Sequence, residues 1–146
     1  MNAQDRTRRI VSAKARAPAS LLLTWSDGTR ATIFLGELLR ERAFLALKDP
    51  AKFARVRVGE WGHGVEWPSG AELGAESLWL ETLSATGHGD ARDFLAWRLR
   101  HGLSLSKAAE ALGLSRRMVA YYSNGDKPVP RAILLACRGW EVSNAA

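Results

Sequence analysis

The sequence predicts an α+β protein. A small mixed β-sheet domain with short helices is expected over residues 1–83, a linker over 84–90, and an all-α domain of four to five helices over 91–146. Three observations predict this. Two apolar runs flank an Asp-Gly turn near the N-terminus. A stretch of small and polar residues, SATGHGD at 84–90, interrupts all patterning. Beyond it, capping residues and glycines punctuate a continuous run of helical spacing.

The chain opens on a basic arm, residues 1–9. Ile10–Ala17 alternates imperfectly as a first strand, and Pro18 interrupts it. Leu21–Trp25 is apolar and meets Ser26-Asp27-Gly28. Thr29–Leu35 follows, with Ala31, Ile33 and Leu35 on one face, and two such runs across Asp-Gly predict an antiparallel hairpin. Gly36–Arg42 and Asp49–Ala54 read as helical turns, the second with Asp49 as N-cap and Pro50 as first helical residue. Arg55–Val58 and Val65–Trp67 are the next strands, separated by the glycine-rich 59–64. Pro68-Ser69-Gly70 turns the chain, and Glu76–Leu83 has helical spacing.

After the linker, Asp90 is the expected cap of a helix in which Phe94, Leu95, Trp97 and Leu99 cluster, ending at His101-Gly102. Ser104 caps a second helix, with Ala108, Ala109 and Leu112 facing inward. Ser115 caps a third, closed by Asn124-Gly125. A fourth runs from Arg131 to about Gly139. The second and third are joined only by Gly113-Leu114. Gly113 can take the positive φ of a tight inter-helix turn, and Ala109 is small enough for the helices to approach closely, which is a helix-turn-helix arrangement.

Hydrophobic content of 47% and charged content of 25% exclude wholesale disorder. The formal charge is +6, and it is unevenly placed: residues 1–17 and 90–146 each carry +4, leaving −2 for 18–89. Such a balance favours a polyanionic partner for the basic segments. The single cysteine, Cys137, forms no internal disulfide and is expected to be a buried structural thiol. No segment has the pattern of a signal peptide or the length of a membrane span, so a cytoplasmic location is expected.

The run GLSLSKAAEALGLSRRMVAYYSNGDKPVPRAI resembles the lambda-repressor-like (XRE-type, Cro/C1) helix-turn-helix family over about residues 91–140. The resemblance implies that Leu103, Ala109, Leu112, Leu114, Val119 and Tyr122 are core, and that Ser104 and Ser115 are the two caps. It implies that the third helix enters the major groove of double-stranded DNA. One departure stands out: the first position of the second helix, often a Gln that grips phosphate, is Leu105. Residue chemistry agrees with a recognition role. Arg116 and Arg117 occupy the first turn of the third helix, where positive charge opposes the macrodipole at about 0.3–1 kcal/mol per exposed residue. An anion there offsets that cost, and arginine pairs in bidentate fashion with guanine or phosphate. Ala120 is expected to keep the groove-facing surface low, and Tyr121 to touch a thymine methyl or a phosphate. Lys107 and Lys127 are candidates for phosphate contact. The expected DNA-binding set is therefore Ser104, Lys107, Ser115, Arg116, Arg117, Ala120, Tyr121 and Lys127, with Trp97 and Trp140 as core anchors.

A second run, LKDPAKFARVRV followed by WPSGAELGAESLW, resembles a bacterial domain of unknown function, family 2442, over roughly residues 8–83. The residues carrying it are Asp49, Pro50, Phe53, Val56, Val58, Trp67, Pro68, Gly70, Ala71 and Leu78, with Ser69 in place of the usual Asn. The resemblance implies an association with toxin–antitoxin-like gene pairs. His63, His88 and His101 have no metal-ligand spacing, and no phosphate loop or nucleophile motif is present. An enzyme, a metal site and a cofactor are not expected. Trp61, Trp67, Trp79 and Leu80 are candidates for either a partner surface or core packing. The function expected is a sequence-specific, homodimeric DNA-binding transcriptional regulator. The alternative is an antitoxin-like module that neutralises a partner toxin protein, with weak or autoregulatory DNA binding.

Overall fold

The computed structural model describes residues 8–145, which form two compact units, residues 8–86 and 87–145. The first unit holds two three-stranded antiparallel sheets. One is the meander β1 (Ile10–Arg16), β2 (Ser20–Trp25) and β3 (Arg30–Phe34), with β2 central. Its tight hairpin follows from the Asp-Gly pair. Gly28 takes φ +91°, and Asp27 accepts the Thr29 N–H at 3.0 Å. The period of two buries Leu21, Leu23 and Trp25 from β2 and Ala31 and Ile33 from β3 on one face. A register shift between Ile10 and Ser12 explains the imperfect alternation of β1.

Two turns of 3-10 helix (Leu38–Arg40 and Arg42–Lys48) lead to the short helix α1 (Pro50–Phe53), which Asp49 caps at the Ala51 N–H, 3.0 Å. The second sheet is β4 (Arg57–Val58), β5 (Gly64–Glu66) and β6 (Glu72–Gly74), with β5 central. β6 lies between the expected turn at 68–70 and the expected helix from Glu76, where the sequence predicts no element. Its three residues, exposed, half-buried and exposed in turn, are too few to signal a strand, and cross-strand pairing with β5 defines them. Helix α2 (Ala75–Ala85) buries Ala75, Leu78, Trp79, Thr82 and Leu83. Trp25 donates its indole N–H to the Thr82 hydroxyl at 3.0 Å and meets Trp79 edge-on at 5.0 Å between centroids. Trp67 stacks on Phe53 and donates to its carbonyl at 2.9 Å. Trp67 and Trp79 are thus core anchors whose polar tips or ring edges find partners. Leu80 is half-buried, and Trp61 is 72% exposed on a left-handed backbone, φ +63°.

The division between the units falls within the expected linker, 84–90. Ser84 and Ala85 belong to α2, and Gly89 and Asp90 to the next helix, so the residues between the helices are 86–88. Arg8 and Arg9, at the end of the expected basic arm, are held against the first unit. Arg8 pairs with Asp27 at 2.8 Å and lies over Trp79 at 4.3 Å, while Arg9 and Ser26 exchange backbone and hydroxyl hydrogen bonds. Asp27 is pulled below the usual carboxylate range despite its burial, by the Thr29 N–H and then by Arg8. Residues 1–7 of the expected arm lie outside the described residues.

The second unit consists of α3 (Gly89–Arg100), α4 (Leu105–Leu112), α5 (Arg116–Asn124) and α6 (Arg131–Ser143). α6 continues past Gly139, which lies inside it, because Trp140 and Cys137 keep its inner face apolar. The core comprises Phe94, Trp97, Ala108, Ala109, Val119, Tyr122, Val129 and Cys137, with Leu103, Leu112, Leu114 and Trp140 packed against it. Phe94 meets Tyr122 edge-on at 5.6 Å, and Trp97 meets Trp140 at 5.6 Å. Each large apolar side chain removed from water here contributes about 1.5–3 kcal/mol. No helix among the described residues is long and apolar enough to cross a membrane.

Candidate nucleic-acid interface

The turn between α4 and α5 is set by Gly113, which adopts φ +70°, ψ 33°, and by the Leu114 N–H, which donates to the Ala109 carbonyl at 2.9 Å. A Cβ at 113 would be strained in that left-handed conformation. Ser104 accepts the Lys107 N–H and Ser115 accepts the Met118 N–H, each at 3.1 Å. Both hydroxyls keep their own proton for donation outward, which suits a phosphate oxygen.

Helix α5 presents Arg116 and Arg117 at its first two positions, both exposed. Their guanidinium groups sit at the positive end of the helix dipole, where the first N–H groups also point outward. Such a helix start attracts an anion through charge and backbone donors together. Arg117 and Tyr121 share a face at i, i+4, and the Lys127 ammonium lies over the Tyr121 ring at 4.7 Å. Arg117, Tyr121 and Lys127 therefore form one cationic and aromatic ridge on α5 and the loop after it. Lys107 stands on α4 beside Glu110 at 3.8 Å, both well exposed, a pair worth little in stability.

Ala120 is corrected. It is 1% exposed and cannot touch a ligand. Val119, Ala120, Tyr122 and Ser123 are all buried, because α5 packs against both α3 and α4 and so hides a wide arc rather than one stripe. The expected low groove-facing surface at this position is core instead.

Two polar devices that fix the ridge were not legible in the sequence. Arg98 of α3 donates to the Leu103 carbonyl at 3.0 Å and to the Ser123 hydroxyl at 2.7 Å, and Ser123 donates to the Val119 carbonyl at 2.7 Å. One guanidinium thereby joins the end of α3, the turn before α4 and the last turn of α5. Asp90 is not the cap of α3, whose N-cap position is His88 with no side-chain cap bond. Its carboxylate reaches 39 residues along the chain to accept the Val129 N–H at 2.7 Å, holding the loop that carries Lys127. Burial would raise the Asp90 pKa, but the Val129 and Ala91 N–H groups outweigh it and hold the carboxyl below its ordinary value.

Behind the ridge, Glu141 of α6 binds His101 at 2.7 Å and Arg100 at 3.1 Å. The His101 hydrogen bond first, and Arg100 second, hold the Glu141 carboxyl below its usual range. Burial, and then the Glu141 charge, push the Cys137 thiol up to about 11. Among the described residues no group of three or more His, Cys, Asp or Glu side chains is placed to hold a metal ion.

The sequence pattern of the family described as "Protein of unknown function (DUF2442)" matches residues 10–82. The crystal structure of "Putative DNA Binding Protein NE0471" from Nitrosomonas europaea is similar along nearly the whole chain. It shares 38% identity, covers 99% of this chain and 93% of that one, and superposes with a TM-score of 0.70. No curated protein matches the chain.

Proposed function

Because the chain belongs to the DUF2442 family, whose description assigns no activity, we propose its function from the second unit: sequence-specific DNA binding by a lambda-repressor-like helix-turn-helix. α5 enters the major groove, and the protein acts as a cytoplasmic transcriptional regulator rather than an enzyme, without metal or cofactor. The observation that carries this is the exposed Arg116-Arg117 pair at the Ser115-capped start of α5, directly after the tight turn at Gly113. Two cations at a helix start oppose the helix dipole, and a DNA groove supplies phosphate and guanine acceptors together. The similar protein of Nitrosomonas europaea, described as a "Putative DNA Binding Protein", supports this reading.

In this account Arg116 and Arg117 reach base edges, and Tyr121 contacts a phosphate or a thymine methyl. Ser104, Ser115, Lys107 and Lys127 position the backbone. Two copies bind a pseudo-palindrome. α6 leaves Leu135 and Val142 exposed seven residues apart, hence on one face, where a second copy can pack. Titrating the protein on genomic DNA fragments at two salt concentrations tests the proposal. A selective complex should form, and log K should fall with log salt by about 0.9 for each neutralised phosphate. Binding without selectivity at either salt concentration would contradict it.

One observation favours a second role, an antitoxin-like protein whose DNA binding is weak. Leu105, at the first position of α4, packs against the core and offers no donor to a phosphate. A toxin-like partner that binds with nanomolar affinity, beside micromolar DNA binding, would favour that role.

A further inference from the structure

The first unit contains a groove that the DNA-binding proposal does not use. It has a volume of about 550 Å³ and lies along β3, β6, α2 and the first 3-10 turn. Phe34, Leu38 and Leu73 line it, with the fully buried Leu78 beneath. Phe34 is 59% exposed although it is a large aromatic residue at the end of a strand. Its ring lies directly on the backbone of Gly36, where any Cβ would overlap it. A glycine at 36 therefore leaves room for the far end of the Phe34 ring at the wall of an open groove.

The rim has one sign of charge. Glu37, Glu41 and Glu81 line the groove, and no lysine or arginine does. None of the three carboxylates has an ion-pair or side-chain hydrogen-bond partner among the described residues. Residues 18–89 carry a net charge of −2, and these three carboxylates gather part of that negative charge around an apolar floor. Both neighbouring sheets also end here. β3 pairs only with β2 and β6 only with β5, so each is an edge strand.

We propose that this groove binds a cationic, apolar-anchored segment of a partner polypeptide. Its apolar side chains cover Phe34 and Leu73, and its lysines or arginines pair with Glu37, Glu41 and Glu81. The charge complementarity selects the occupant: a nucleic acid is repelled by the three carboxylates, and an acidic peptide likewise. An open groove of about 550 Å³ with three separated carboxylates along it suits an extended polypeptide carrying several cations better than a compact metabolite. This site is separate from the helix-turn-helix and stands or falls without it.

Fluorescence anisotropy on the full chain tests the proposal, with a labelled peptide of alternating lysine and leucine as probe and its glutamate–leucine counterpart as control. The cationic peptide should bind and the acidic one should not. The Glu37→Gln/Glu41→Gln/Glu81→Gln variant should weaken binding roughly tenfold, the combined effect of three exposed ion pairs. Gly36→Ala, which displaces the Phe34 ring without changing charge, should also weaken it, while Arg116→Ala should leave it unchanged. Equal binding of both peptides would overturn the proposal, as would full affinity in the triple variant with an unchanged circular dichroism spectrum. Displacement of the peptide by spermidine at matched charge would overturn it in favour of a small polycation. Sedimentation equilibrium covers the remaining occupant. If the wild-type chain self-associates and the triple variant is monomeric, the groove belongs to a second copy.

Discussion

Replacing Asp90 should loosen the ridge that α5 and its following loop present. The Asp90 carboxylate accepts the Val129 N–H at 2.7 Å, and Val129 is buried, so no water stands ready to replace the bond. A hydrogen bond to a charged group contributes about 1.5–3 kcal/mol. Partial exposure of the carboxylate places this one near the lower end, at about 1.5 kcal/mol. Asp90→Ala should cost that amount, and Asp90→Asn, which keeps an acceptor but loses the charge, about half. In a unit of this size 1 kcal/mol shifts the melting temperature by roughly 4–8 °C. The pH dependence has a definite sign. The folded carboxyl titrates below its ordinary value, so its contribution is complete above the unfolded pKa of about 4 and is lost as pH falls through the folded value. The wild-type advantage over Asp90→Asn should therefore be constant from neutral pH to about 5 and shrink below about 4. Urea unfolding at several pH values gives the energies, and amide hydrogen exchange at Val129 gives the local effect. Unchanged stability in Asp90→Ala, with full protection of the Val129 amide, would refute the reasoning.

Three further outcomes are expected. Thr82→Val removes the partner of the buried Trp25 indole N–H while keeping the side chain's shape, and should cost about 1–3 kcal/mol in urea unfolding followed by tryptophan fluorescence. Ala120→Leu overfills a site that is 1% exposed, and should destabilise by about 1–3 kcal/mol with altered α5 packing, where a surface position would tolerate it. Cys137, buried with its pKa raised to about 11, should resist a thiol-specific disulfide reagent at neutral pH and react at once when denaturant is added, as absorbance would record.

What was legible in the sequence was local. Asp27-Gly28 specified a hairpin because the turn chemistry lies within the turn. Ser104, Gly113 and Ser115 marked the ends of α4 and α5 because capping and positive φ involve residues a few positions apart. What was not legible depends on distant partners. Asp90 has the chemistry of a cap, yet its bond goes to Val129, and no periodicity encodes that choice. On a helix with a single packing stripe Ala120 is an exposed small residue, whereas α3 and α4 flank α5 on two sides. β6 exists only through pairing with β5. Arg98 gave no signal of its link to Ser123, since a charged residue near the end of a helix usually meets solvent. The groove beneath Glu37, Glu41 and Glu81 joins residues more than forty positions apart.

The central claim is that α5 reads DNA through its first turn. The most direct measurement is the ratio of affinities for a selected duplex and a scrambled duplex, at one fixed salt concentration, for the wild type, Arg116→Ala and Arg117→Ala. A bidentate contact to guanine discriminates by about 1–3 kcal/mol, so losing it should lower that ratio by roughly 5- to 150-fold while the fold, followed by circular dichroism, is unchanged. If both variants keep the wild-type ratio, α5 is not the recognition helix.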